Sequence, residues 1–276
     1  AEDQKRVEQA ALDPQIEAVG SYGYSEQTPE NIMSAKGNFD QIGIEMNWNV
    51  YTGGRTKKSI QKAAVNVKKS EAELDAAIRK ALDALAQDHA AVARAIAQVG
   101  YPLSRRREHS FESLARIVIG QQLSVKAAAT IAQRVVEAVG GALQPEILLA
   151  TAPDQLRASG LSRQKIGYLQ SLAEAVISGD LPIETLPEFA DDEVEAAITA
   201  VRGFGRWSAH MYMMFSLGRP DIWPSGDLAV RVGFGRIMGW KDRPDEKKVI
   251  EKGDAFSPHR SALALLCWQF YSEAPL

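Results

Sequence analysis

Along most of this chain apolar residues recur at three- and four-residue steps. That spacing predicts helices near 78–98, 111–121, 124–138, 144–150, 163–178, 192–201, 206–217, 227–237 and 260–271. Gly140-Gly141, Gly179-Asp180, Pro182 and Pro187 fall between these runs, where a helix ends and the chain turns. Residues 1–76 follow a different period. From Gln41 to Val50 every second side chain is apolar (Ile42, Ile44, Met46, Trp48, Val50), with Glu45, Asn47 and Asn49 between them. This is the period of a strand with one apolar face. A weaker alternation spans Gln15 to Tyr24. The polar stretch between the two, with Pro29, Asn31 and Gly37, is too long for a tight hairpin turn. After Gly53-Gly54 the period becomes helical from about Arg55 to Ala86. The expected fold is mainly α: a helical domain over 77–276, preceded by an appendage of two strands and a long helix over 1–76.

Composition narrows the chemistry. A chain of 276 residues can bury a sizeable core. Its formal net charge of −3 is not the usual footprint of a nucleic-acid binder, but clustering matters more than the sum. Arg105-Arg106-Arg107, Arg163 with Lys165, Arg202 with Arg206, and Arg231 with Arg236 are candidates for a basic face or for ordinary solvated charge. The single cysteine, Cys267, sits in an apolar run and excludes an internal disulfide or a centre built on several thiolates, an iron–sulfur cluster included. The four histidines show no metal-ligand spacing. No apolar run reaches the ~18–20 residues that span a bilayer as a helix. The charged opening Ala1–Arg6 does not read as a signal peptide, and a reducing, cytoplasmic setting is expected.

The most informative stretch runs from Val201 to Arg231. Gly203-Phe204-Gly205 lies between two helical patterns, a spacing that lets a tight hairpin bring backbone N–H groups against a phosphate. Some twenty residues later, after the turn Pro224-Ser225-Gly226, the carboxylate of Asp227 opens another helix. By spacing alone Asp227 reads as a helix N-cap. An anion grip beside an isolated acid is also what holding a nucleic-acid backbone and acting on a sugar carbon requires.

That stretch resembles the helix-hairpin-helix DNA glycosylase superfamily, and most closely its alkylbase branch, the DNA-3-methyladenine glycosylase II group. Three further motifs in the family's order carry the resemblance: Phe111–Arg116 leading into Gly120-Gln121-Gln122-Leu123-Ser124, Gly160–Lys165 opening a helix, and Pro258–Ser261 leading into one bearing Trp268. Together they cover about residues 78–276. The resemblance implies a fold of two helical subdomains, in the compact form without a preceding β domain. Asp227 matches the family's catalytic aspartate. Such a carboxylate stabilises the oxocarbenium-like sugar left when the base departs, and can orient or deprotonate the attacking water. An alkylated purine already carries positive charge and leaves without a general acid, so one carboxylate suffices, where sugar hydrolases usually pair two.

The remaining assignments also rest on the resemblance. Trp207 stands where strand-nicking relatives carry a nucleophilic lysine, and an indole forms no Schiff base, so a monofunctional enzyme that leaves an abasic site is implied. Trp207 and Trp268 match aromatic positions of the base pocket, whose faces attract cationic bases by ~1–2 kcal/mol when desolvated. Taken alone, both also read as core residues. Met211 replaces a tyrosine of some relatives, and Trp223, close before Asp227, could compensate in the pocket. The target base must leave the duplex. Gln122 matches the plug that fills the gap and Leu123 the wedge between base steps, although both also read as a loop glutamine and a core leucine. Gly203 and Gly205, with Arg206 or Ser208, would hold a phosphate, and Ser162 with Lys165 a second one. The family's hairpin often binds a monovalent cation, here Na+ or K+ on the main-chain oxygens of Thr199, Val201 and Phe204. No redox or organic cofactor is implied. The expected partner is double-stranded DNA with damaged bases, bound by a monomer with no membrane involved.

Two other readings stay open for this domain: a non-catalytic helix-hairpin-helix DNA-binding module, and a glycosylase for a different damaged base. Residues 1–76 resemble a piece of the TolC-like outer-membrane efflux proteins, through a strand ending at Tyr51-Thr52-Gly53-Gly54-Arg55 and a long polar helix. Two strands at most cannot close a barrel, so an appendage rather than a channel is expected. A first residue other than Met fits a truncated or fused reading frame.

Overall fold

The structure is a computed structural model that describes residues 15–25, 37–47 and 55–273, with side chains from residue 68 onward. The chain divides into two units, Ala1–Ala72 and Glu73–Leu276. In the first, β1 (Gln15–Ser25) pairs antiparallel with β2 (Gly37–Asn47), Gln15 opposite Asn47 and Ser25 opposite Gly37. The polar connection between them and the end of the expected alternation, from residue 48 to Val50, lie outside the described residues. Helix α1 (Arg55–Asp88) begins in the first unit and ends in the second.

The described part of the second unit is helical. After α1 come α2 (Ala90–Val99), α3 (Phe111–Gly120), α4 (Val125–Ala138), α5 (Pro145–Ala150), α6 (Pro153–Ala158) and α7 (Arg163–Ser178). Further along the chain are α8 (Asp191–Ala200), α9 (Arg206–Tyr212), α10 (Leu228–Ile237), α11 (Glu246–Gly253) and α12 (Arg260–Glu273). Short polar side chains fix several of the starts. Ser110, Ser124, Ser162, Asp227 and Asp245 each accept a backbone N–H from the first turn of the helix they precede.

Three departures from the periodic reading have local causes. The run expected over 78–98 breaks at His89, whose extended backbone (φ −126°) lets its ring stack 4.2 Å from Phe256 while α2 buries Val92 and Ala95. The run over 206–217 is α-helical only to Tyr212 and continues as a π turn, Met213–Leu217. Such a turn holds an extra residue and rotates the side chains beyond it, which is why π turns are often found at functional sites. Here the Phe215 carbonyl accepts the Arg107 N–H at 2.8 Å. Helices α6 and α11 and the 3-10 turns Ile183–Glu188 and Asp254–Phe256 are too short for a period to show.

Helix α3 packs against α4, α7 and α9, with α5 on α7 and α8 on α9; in a second group α10 lies along α12 and both meet α2. Leu82, Leu114, Leu169, Leu172, Phe234 and Leu263 are fully inaccessible. Burying each contributes roughly 1.5–3 kcal/mol before chain entropy is counted. The α10–α12 crossing is close because Gly233 presents no side chain: a Cβ there would overlap the backbone carbonyl of Cys267. The same crossing sets Asp227, at the start of α10, against Trp268 on α12.

Gly233→Ala is therefore expected to destabilise the protein. Overpacking against a carbonyl that cannot rotate away costs about 3 kcal/mol, more than the roughly 1 kcal/mol of helix propensity gained. A urea midpoint equal to or above that of the wild type would contradict this packing.

Candidate active site

Asp227 stands at the mouth of the second helix group. A turn precedes it, closed by its own N–H to the Pro224 carbonyl at 2.9 Å. Its side chain turns back over α10, where Oδ1 accepts the N–H groups of Ala229 at 2.9 Å and Val230 at 3.0 Å. The same oxygen accepts Trp268 Nε1–H at 3.0 Å, and Oδ2 accepts Trp207 Nε1–H at 2.8 Å. The N-cap reading is thus correct for Oδ1, and the two indoles add donors from α9 and α12. Trp207 is 36% exposed, while the half-buried Trp268 has its ring 5.7 Å from that of Phe215 at an interplanar angle of 31°. Phe215 was not singled out from sequence; it reaches Trp268 from the π turn, and periodicity does not announce a π turn.

The hairpin joins α8 to α9. Phe204 N–H closes the turn on the Val201 carbonyl at 3.1 Å, and Gly203 adopts φ +95° with no room for a side chain, since a Cβ would overlap the Tyr168 ring. Gly205 is the extended N-cap of α9, offers no capping side chain, and leaves open space where a Cβ would stand. The first intrahelical bond of α9 is Ala209 N–H to Gly205 O at 3.1 Å. The N–H groups of Arg206, Trp207 and Ser208 therefore have no acceptor within the helix and carry its positive end outward. The Arg206 side chain pairs with Glu195 at 2.8 Å, and the other Glu195 oxygen meets His210 Nε2 at 3.0 Å. Burial pushes the His210 imidazole below its ordinary value, against the opposing pull of Glu195.

The loop after α3 separates two adjacent glutamines. Gln122 is exposed in a left-handed conformation (φ +57°), which is unusual for a residue with a Cβ, and Leu123 beside it is 40% exposed. Gln121 points inward, its Nε2 donating to the Gly203 carbonyl at 2.9 Å and the Ser208 hydroxyl at 3.2 Å. It ties this loop to the hairpin, a role the sequence reading missed.

Several expected site residues are placed elsewhere. The Trp223 side chain is in the core, not the pocket: its indole N–H donates to the Val249 carbonyl at 2.9 Å and its ring meets Phe234 edge-on. Met211 is 6% exposed and packs in the core cluster. The Ser208 side chain is buried and engaged by Gln121, so only its N–H faces the hairpin. The Ser162 hydroxyl caps its own helix, accepting Lys165 N–H at 3.2 Å. Lys165 turns inward, Nζ donating to the carbonyls of Ile119 at 2.7 Å and Gln121 at 2.8 Å, and burial lowers its affinity for the proton. Among the described residues no cluster of histidine, cysteine and carboxylate side chains could hold a metal ion, and no helix is long and apolar enough to cross a membrane.

A helix-hairpin-helix whose second helix leads, through an aromatic-lined carboxylate, into a helical bundle defines a class of DNA repair proteins. The chain belongs to the HhH-GPD superfamily of base excision DNA repair proteins, whose signature matches residues 115–258, just over half of it. A second signature, that of the outer membrane efflux proteins, matches residues 1–101. DNA-3-methyladenine glycosylase 1 of Schizosaccharomyces pombe is 33% identical over 169 residues, 60% of this chain and 74% of that protein. The DNA-3-methyladenine glycosylase of Saccharomyces cerevisiae is 30% identical over 202 residues, 60% of this chain and 68% of its own length. The solved structure of the S. pombe 3-methyladenine DNA glycosylase, in complex with abasic DNA, superposes with a TM-score of 0.67 at 32% identity, covering 71% of this chain and 98% of that one.

Lys165→Met should lower the stability of the free protein by about 1–3 kcal/mol, because two carbonyls at the end of α3 lose their donor. An unchanged denaturation midpoint would return Lys165 to the role of a surface cation.

Proposed function

We propose that this chain is a monofunctional DNA glycosylase that excises alkylated purines, such as 3-methyladenine and 7-methylguanine, in base-excision repair. The observation that carries this reading is the convergence of the Trp207 and Trp268 indole N–H groups on Asp227, which makes the carboxylate and the aromatic surface one site. The names of the relatives point to the same chemistry. Asp227 would face the sugar carbon from the side away from the departing base, stabilise the positive charge that develops there, and direct water onto that same face. The ring faces of Trp207 and Trp268 favour a cationic base over a neutral one. With indole at position 207 there is no amine to attack the sugar, so the product is an intact strand bearing an abasic site.

Gln122 and Leu123, both exposed, suit the plug and the wedge that are needed once a base is rotated out of the duplex. The N–H groups of the first turn of α9 suit a phosphate oxygen, and Gly205 keeps the approach open. The hairpin carbonyls suit Na+ or K+: Phe204 N–H takes one lone pair of the Val201 oxygen and leaves the other, with Thr199 and Phe204 supplying further main-chain oxygens. The reaction as proposed needs no redox or organic cofactor. The partner is damaged duplex DNA, bound by a monomer in the cytoplasm. Residues 1–76 are assigned no step of the reaction.

The test is base release from methylated duplex DNA by the full chain and by Asp227→Asn, with product run before and after alkali. Free methylated purine, reduced at least a hundredfold in the variant and accompanied by strand breaks only after alkali, is expected. Duplex binding without any release, or breaks without alkali, would refute the reading.

A further inference from the structure

We infer that Trp207 is the positioning residue for Asp227 and that Oδ2, which its indole N–H holds, is the oxygen that performs the chemistry. This deepens the glycosylase reading and rests on it. The two carboxylate oxygens are not equivalent. Oδ1 accepts three donors, the N–H groups of Ala229 and Val230 and the Trp268 indole, which exceeds its two in-plane lone pairs. It is committed to capping α10. Oδ2 accepts one donor, the Trp207 indole, and keeps a lone pair for a sugar carbon or a water. A charged hydrogen bond at 2.8 Å to the second oxygen holds the carboxylate plane from its other side and fixes the direction in which the remaining lone pair is presented.

Trp207 thus has two separable functions. Its edge donates to Asp227 while its 36% exposure leaves part of the ring for a base. The bond joins α9, which opens at the hairpin, to the carboxylate at the start of α10. Engagement of a phosphate at the hairpin and orientation of the acid are therefore carried by one helix turn.

The experiment compares the full wild-type chain with Trp207→Phe, which keeps an aromatic face and loses the donor, and Trp207→His, which restores a ring N–H. Single-turnover release of 7-methylguanine should slow roughly tenfold or more in Trp207→Phe and recover in part in Trp207→His. Affinity for duplex carrying an abasic site, which offers no base to stack, should stay within about twofold. The carboxyl carbon-13 resonance of Asp227, assigned through Asp227→Asn, should move in Trp207→Phe. Release at the wild-type rate, or loss confined to abasic-site affinity, overturns the inference. If the wild type releases no base, the glycosylase reading fails, and an Asp227 carboxyl signal that Trp207→Phe leaves in place separately overturns the positioning.

Discussion

One half-buried carboxylate organises this protein. A negative charge taken partly out of water must be met by donors, and Asp227 collects four from three helices: two N–H groups of its own α10, one indole from α9 and one from α12. Each helix is thereby referred to the same two oxygen atoms. The close α10–α12 approach at Gly233 brings Trp268 within reach, and the start of α9 at Gly205 brings Trp207. The stability of the crossing and the aim of the acid are one arrangement.

A second polar network runs beneath the exposed edge of the first helix group. The carbonyl end of α3 would leave orphan acceptors. Lys165 satisfies those of Ile119 and Gln121, and Gln121 reaches across to Gly203 and Ser208. The projecting pair Gln122-Leu123 and the hairpin are therefore braced against each other through the partly buried side chains of Gln121 and Lys165. Lys165, which the sequence offers as a phosphate contact, and Gln121, to which it gives no role, are the struts of that surface.

Most of the helical framework was legible because burial imposes its own period on the chain, and α3, α4, α7, α8, α10 and α12 fall where apolar spacing placed them. What escaped had no period to show, as in α6, α11 and the π turn, or depended on partners distant in sequence. Trp207 and Trp268 were recognisable as aromatic positions, but their bonds to a residue 20 and 41 positions away were not. Trp223 shows the converse error: nearness to Asp227 along the chain suggested the pocket, while Gly253 and Val249 draw its indole into the core. Between Gln121 and Gln122 only the backbone decides, since a left-handed turn sends one amide inward and the next outward.

The ion pair between Arg206 and Glu195 has a consequence for how such a protein would travel along its partner. Arg206, the first residue of α9, has its charge already met within the protein, while Arg202 stands exposed in the hairpin itself. A phosphate at the hairpin would then be held mainly by peptide dipoles, with Arg202 as the one cationic side chain between α8 and α9. Dipoles displace few of the condensed counterions whose release drives tight, sequence-blind adhesion to a polyanion. A net charge of −3 acts in the same direction. On the glycosylase reading, weaker sequence-blind adhesion would be an advantage, because undamaged sites vastly outnumber damaged ones.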